Sequence, residues 1–387
     1  MPRPLALSIT AFALFLPTMP VGAQPVPARR IVRETAAVYQ RAPQFVLIQT
    51  NVWCADASAA GCDFRGPASV RATPSGGLLA SDFMGPLRLF DSTGALVREL
   101  GRKGQGPGEY GFVVDAHVAS DGFVTWFDNT QMRFASVRLD GQPGPTRRLL
   151  PPPTMANLFV VDTQLVILDV PAHTVIGTPV DASYRTVPVA GAPRVIARVR
   201  TPAVFASQSN MTSPPPPFAP RVQSDVGAAF DVAHSSGDRY AVDVFPSTGA
   251  PWSLLVDYPS RAVTAAERDS AIAAGLTRYR VKRVADLPPP LRVSYEQIPA
   301  VQSPITRVKV LNDGTVWIRP VPPAGATDAR WDGFRRDGTR LGQIHLPFNA
   351  RIWDGAATWI VITATNAEDV PSFTRYRLQR SPLAPGR

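Results

Sequence analysis

The run Gly101-Arg102-Lys103-Gly104-Gln105-Gly106-Pro107-Gly108-Glu109-Tyr110 sets glycines around two cations and a carboxylate, a composition that can cradle phosphate when its register is right. Here the register is wrong. A dinucleotide fingerprint begun at Gly104 needs glycine at 109, where Glu109 stands, and a phosphate loop begun at Gly101 needs lysine at 107, where Pro107 stands. Gly101, Gly104, Gly106, Pro107 and Gly108 are therefore read as the frame of a compact loop. Arg102, Lys103 and Glu109 are the charged groups that this frame would offer a binding partner. Nucleophilic catalysis has little to draw on. The four histidines, His117, His173, His234 and His345, sit in no Gly-x-Ser-x-Gly or His-Glu-x-x-His setting, and no catalytic residue is assigned. His117 and His345 fall in apolar segments, which suits a hydrogen-bonded structural histidine. A calcium site would need oxygen ligands converging from several segments. Asp82, Asp115, Asp128, Asn129, Asp162 and Asp231 are the candidates, although acids near strand ends are ordinarily turn formers.

Residues 1–23 differ from the rest of the chain. Arg3 is their only charge, residues 5–16 are mostly apolar, and Val21-Gly22-Ala23 offers small side chains at a peptidase site, so the reading is a secretory signal peptide cut before Gln24. Pro17 and Pro20 interrupt the apolar stretch before it could span a bilayer, and no later segment approaches that length. The mature chain is thus expected to be exported, to the periplasm or the outside. Its two cysteines, Cys54 and Cys62, fit a disulfide in that compartment, pinning a local excursion; two thiols with no nearby histidine do not complete a zinc site. The chain carries 40 basic and 30 acidic side chains, but the arginines are scattered and only three lysines occur, so no nucleic-acid role is expected.

The elements that would position any site can be read from recurring turns. Gly-Gly or Asp-Gly at 76–77, 121–122 and 313–314 separates short apolar segments. A second set, Gly94, Gly141 and Gly338, comes 17 to 24 residues later. Gly77 to Gly122 is 45 residues and Gly94 to Gly141 is 47, the period of a four-stranded propeller blade. Units are read at 67–110, 113–150, 157–200 (degenerate, without the Asp-Gly turn), 225–258 and 301–346. The tail at 350–379 is short for a blade, and a lone strand at 44–53 would complete a sixth by pairing with it and close the ring. The fold class is therefore all-β, a six-bladed β-propeller over 44–380. It is preceded by a segment at 24–43 and succeeded by a tail at 381–387.

Thr264-Ala265-Ala266-Glu267 is a capping box, so a helix of about three turns starts at Ala265, within an insertion at about 259–300 between the fourth and fifth units. Such an insertion either packs passively or covers a channel mouth. Prolines at 151–153, 214–217 and 288–290 are assigned to connecting loops.

The stretch from Leu89-Phe90-Asp91 through Gly94 to the Gly-Pro-Gly-Glu element resembles secreted bacterial six-bladed propellers similar to the NHL-repeat and TolB-like groups. That resemblance implies a fold, with ligand or protein binding as the usual role. It leads to a non-catalytic binding module engaging a protein, peptide or glycan through channel-mouth loops. The alternative is a calcium-dependent lactonase or esterase-like hydrolase, since some six-bladed propellers hold calcium in the channel.

Overall fold

Short strands broken by glycine turns cannot bury an apolar face alone, and in the computed structural model they solve this by ringing six sheets around a channel. The structure describes residues 29–35, 41–82, 84–119, 121–148, 158–162, 164–170, 179–188, 192–202, 216–365 and 370–381. Strands β1 (Arg30–Glu34) and β2 (Phe45–Trp53) belong to blades completed much later in the chain. Blade 1 is β3 (Pro67–Ala72), β4 (Leu78–Asp82), β5 (Leu87–Phe90) and β6 (Leu96–Leu100). A short parallel pair, β7 (Arg102–Lys103) and β8 (Glu109–Tyr110), leads to blade 2. Blade 2 is β9 (Val113–Val118), β10 (Phe123–Asp128), β11 (Arg133–Arg138) and β12 (Pro143–Arg148). Blade 3 is β13 (Leu158–Val161), β14 (Gln164–Asp169), β15 (Pro179–Pro188) and β16 (Arg194–Pro202), so the degenerate unit is a full blade.

Blade 4 is β17 (Gln223–Val226), β18 (Val232–Ser235), β19 (Ala241–Phe245) and β20 (Trp252–Val256). It has a fifth strand that sequence patterning does not announce: β1, from the segment placed outside the propeller, runs parallel to β20 with Arg30 opposite Trp252. The insertion comes next, with α1 (Ala265–Tyr279) and α2 (Pro289–Glu296). Blade 5 is β21 (Ile305–Val310), β22 (Val316–Pro320), β23 (Ala329–Phe334) and β24 (Arg340–Leu346). Blade 6 is β25 (Arg351–Ala356), β26 (Trp359–Thr365) and β27 (Pro371–Arg380), with β2 as its outer strand, Phe45 lying opposite Arg380. The expected closure is therefore present, and the last sheet gains its fourth strand from the front of the chain.

Glycine is required where the first hairpin of a blade turns: Gly122 and Gly314 hold φ of +83° and +81°, a conformation that L side chains resist. At α1, Thr264 and Glu267 bond reciprocally as the capping box demands, and the helix runs to 15 residues rather than three turns. The 288–290 prolines correct the loop assignment: Pro288 is the N-cap of α2 and Pro289 its first residue, where a missing N–H is harmless. The prolines at 151–153 and 214–215 lie outside the described residues.

The core is divided into layers between blades. Trp126 with Leu79 and Leu87 joins blades 1 and 2, and Phe127 with Val160 and Leu165 joins 2 and 3. Tyr184 with Val232 lies between 3 and 4, and Trp252 with Phe334 between 4 and 5. Trp331 meets Ile352 and Ile360 between 5 and 6. Between 6 and 1, where the ring closes, Trp53, Phe90 and Phe373 pack together beside the Cys54–Cys62 disulfide, and Phe373 meets Phe64 edge to face at 5.0 Å between ring centroids. The fourth strand of a blade, counted from the channel, also bonds to the turn of the next blade. Trp53 Nε1 donates to Asp91 O at 2.7 Å, Arg98 Nη1 to Asp140 O at 2.5 Å and Trp252 Nε1 to Arg336 O at 2.8 Å. Because Phe373 is fully buried at the closing seam, Phe373→Ala should lower stability by about 3–5 kcal/mol in urea titrations, with the disulfide left intact.

Candidate functional site

The inner strand of each blade has only one ladder partner, so its other edge turns backbone groups toward the channel. Aspartates on alternate blades answer this. Asp115 of β9 accepts from Val160 N of β13 at 2.9 Å, Asp225 of β17 from Val310 N of β21 at 2.7 Å, and Asp354 of β25 from Ala72 N of β3 at 2.7 Å. Each carboxylate of blades 2, 4 and 6 thus reaches the inner strand of the next blade round the ring. Burying them requires countercharge. Arg71 supplies it to Asp115 through Nη2, at 3.0 and 3.3 Å from the two carboxylate oxygens, and Lys309 supplies it to Asp225 at 2.9 Å. Burial works against the Arg71 charge, yet Asp115, Asp354 and Asp225 outweigh it and hold the guanidinium above its usual range. Asp354 spends its second oxygen on Gly355 N at 2.8 Å; burial nevertheless raises its carboxyl above the ordinary range, against the pull of Arg71 and the Ala72 N–H.

Two vestibules flank this waist. The upper, about 450 Å³, opens where the inner strands begin and is lined by Ala68, Val114, Leu158, Gln223, Thr306 and Arg351 among others. The lower, about 530 Å³, opens where they end and is lined by Ala72, His117, Asp162, Asn312, Asp354, Trp359 and Arg375 among others. Arg71 borders both. No residue of 260–300 lines either, so the helical insertion stands aside from both cavities.

Sequence reasoning did not single out Arg71, Asp225, Arg307, Lys309, Arg351 or Asp354. The available signal was an aspartate inside an apolar strand, as in Val113-Val114-Asp115-Ala116, where strand propensity disfavours it. Three of the other acids considered for calcium serve the backbone through their carboxylates. Asp82 accepts from Arg65 N and Gly66 N, Asp128 from Gly111 N and Phe112 N among others, and Asp231 from Ser247 N while pairing with Arg336 at 2.6 Å. Asn129 N donates to Phe112 O, and Asp162 O accepts from Thr125 Oγ1. Among the described residues, no group of three or more His, Cys, Asp or Glu converges on one point.

The Gly-rich loop lies apart from both vestibules. Glu109 accepts from Gly106 N at 2.7 Å and from Arg102 Nε at 2.6 Å, which together hold its carboxyl below the usual range. Gly104 makes room for it, since a Cβ there would stand 2.1 Å from Glu109 Oε2. Gly101 turns at φ +70° against the Gly108 carbonyl, and Arg133 Nη1 docks the loop through Gln105 O at 2.7 Å. Arg102 and Lys103 remain exposed. His345 is at the surface with Asp328 at 2.9 Å, whereas His234 is buried and shares a hydrogen bond with Tyr184 at 3.0 Å. His173 lies outside the described residues.

With this geometry the chain takes its place among six-bladed propellers, a fold class that includes proteins described as exported. One is a protein of Bacteroides fragilis so described, at 13% identity over 92% of this chain and 100% of the other, with a TM-score of 0.50. Another, a member of the DUF4221 family from Bacteroides vulgatus, shows 10% identity over 88% of this chain and 100% of the other, with a TM-score of 0.52. A gluconolactonase of Xanthomonas campestris aligns at 13% identity over 87% of this chain and 100% of the other, but its TM-score of 0.40 carries no argument about chemistry. These likenesses are of fold alone. No family model matches the sequence. No curated protein matches it either.

The buried titratable groups lead to two expected outcomes. Asp354→Asn puts an amide N–H where a backbone donor now finds an oxygen, so it should cost roughly 2 kcal/mol in chemical denaturation. Burial lowers the His234 pKa to about 4, from an ordinary value near 6.5 in the unfolded chain. The unfolded state therefore binds the extra proton first as pH falls, and stability is lost between pH 6.5 and 4, about 2 kcal/mol of it by pH 5. Urea midpoints measured across that range should flatten in His234→Gln.

Proposed function

We infer that this chain is an exported binding module that receives a protein, peptide or glycan at the upper mouth of its channel. One observation carries the reading: the channel carboxylates are consumed in joining neighbouring inner strands, while the upper vestibule is left as a shaped, open surface with a ring of polar and aromatic groups. Residues 1–23 read as a signal peptide, the Cys54–Cys62 bridge and the likeness to a protein described as exported all favour delivery across a membrane to the periplasm or beyond. No helix among the described residues is long and apolar enough to cross a membrane. Arg102, Lys103 and Glu109, on the connection between blades 1 and 2, lie at the end of the blades where the inner strands begin and are proposed as outlying contacts.

A calcium-dependent lactone or ester hydrolase has one observation in its favour: Asp162, Asn312 and Asp354 bring oxygen atoms from three blades to the lower vestibule. Against it, both Asp354 oxygens already accept backbone hydrogen bonds. Thermal unfolding with and without millimolar calcium, together with a lactone and ester panel, separates the readings. The binding module predicts an unchanged melting temperature and no turnover. A calcium-dependent rise together with turnover, both lost in Asp162→Asn, would install the hydrolase instead.

A further inference from the structure

The upper vestibule holds more positive charge than its own acids neutralise. Five cations line it, Arg71, Arg221, Arg307, Lys309 and Arg351, against two carboxylates, Asp115 and Asp225. Arg71 is committed to Asp115 and Lys309 to Asp225, so the positive excess resides on the other three arginines. Arg221 and Arg351 are exposed to solvent and Arg307 is half-buried. Burial weighs on the charges of Arg307 and Arg351, and neither forms a salt bridge or side-chain hydrogen bond among the described residues. We propose that Arg307 and Arg351 form a receptor for an oxyanion, a carboxylate, sulfate or phosphate group carried on the ligand of the upper vestibule. This rests on the channel-mouth reading and names the chemistry it selects.

Three further observations support it. The Arg351 guanidinium lies over the Trp353 ring, 3.6 Å from its centroid, which fixes the plane of its donor fork before any ligand arrives. Trp353 also lines the cavity and is buried, and its indole N–H has no partner among the described residues. Arg319, across the ladder from Arg307, donates one N–H to Phe348 O at 3.0 Å but leaves its buried Nε without a partner. Burial lowers all three guanidinium pKa values, Arg351 to about 10, and Arg307 repels both of the others. Arg307 and Arg351, which line the vestibule and repel each other, are stabilised by an anion there, and a planar guanidinium meets two oxyanion oxygens at once. A cavity of about 450 Å³ admits a group the size of a sugar acid.

The test uses the mature protein at fixed ionic strength, with chloride as the reference salt and glucuronate, inorganic sulfate and inorganic phosphate as probes. The expected result is a saturable rise in melting temperature with at least one probe. Its apparent affinity should fall roughly tenfold or more in Arg307→Gln, and which probe acts identifies carboxylate, sulfate or phosphate. The same variant should melt no lower than the wild type when unliganded, because it removes a repelling charge. Should Arg307→Gln be too unstable to compare, Arg351→Lys retains the charge and loses the fork, and is expected to weaken binding by a similar factor. A probe-induced shift equal in wild type and variants is a general salt effect and overturns the assignment. Saturable binding of a neutral oligosaccharide or peptide without response to any of the three anions overturns the oxyanion receptor but leaves the channel-mouth reading standing. No saturable response to either class removes both.

Discussion

Everything at the centre of this molecule depends on the bond between an inner-strand aspartate and the backbone N–H of the next blade. A propeller must end each sheet somewhere, and the innermost strand leaves one edge unpaired toward the channel. Asp115, Asp225 and Asp354 supply acceptors to Val160, Val310 and Ala72, so that three of the six blade junctions are joined at the channel wall by carboxylates. Carboxylates in that position require cations, and Arg71 and Lys309 are held by them. The electrostatic character of the channel is therefore a by-product of how the ring is held together.

The same logic repeats at the periphery with neutral acceptors. Trp53, Arg98 and Trp252 each donate from the fourth strand of a blade to a carbonyl in the turn of the neighbouring blade, and the aromatic layers fill the space between. Where a junction is joined at both radii, as between blades 4 and 5 and between 6 and 1, the two blades have little freedom to shift without breaking a polar contact. A rigid frame of this kind is suited to presenting a fixed cavity, which is what recognition of a small charged group demands.

Turn chemistry made most of the architecture legible in the sequence. Positive-φ glycines at Gly122 and Gly314 recur because no other residue serves the hairpin as well, and the Thr264–Glu267 box marks its helix unambiguously. The closing strand was readable because an apolar segment at the front and a three-stranded remainder at the end need each other. Two elements were hidden for physical reasons. The strand Arg30–Glu34 is mostly charged and shows no alternation, since it lies at an exposed outer edge and is held by backbone pairing; α2 begins with prolines, which read as a breaker unless they fall in the first turn. The channel residues were harder still. Asp225 and Arg307 are far apart in sequence and acquire meaning only when the ring brings blades 4 and 5 together, so spacing along the chain holds no trace of the vestibule.

Strands β1 and β2 carry a consequence for how this ring comes into being. Both lie at the front of the chain, yet their partners are β20 and β27, the fourth strand of the fourth blade counted from the channel and the final strand of all. A chain that emerges from its N-terminus holds β1 unpaired until blade 4 has been made and β2 unpaired until nearly every other residue has, and then commits them to different blades of the ring. Glu34, at the end of β1, adds an ion pair to Arg340 in blade 5, so the same early segment bridges a junction that does not exist until late. Assembly is thus a matter of waiting: the first part of the propeller to appear is the last to find its place, and the circle is sealed by its own beginning.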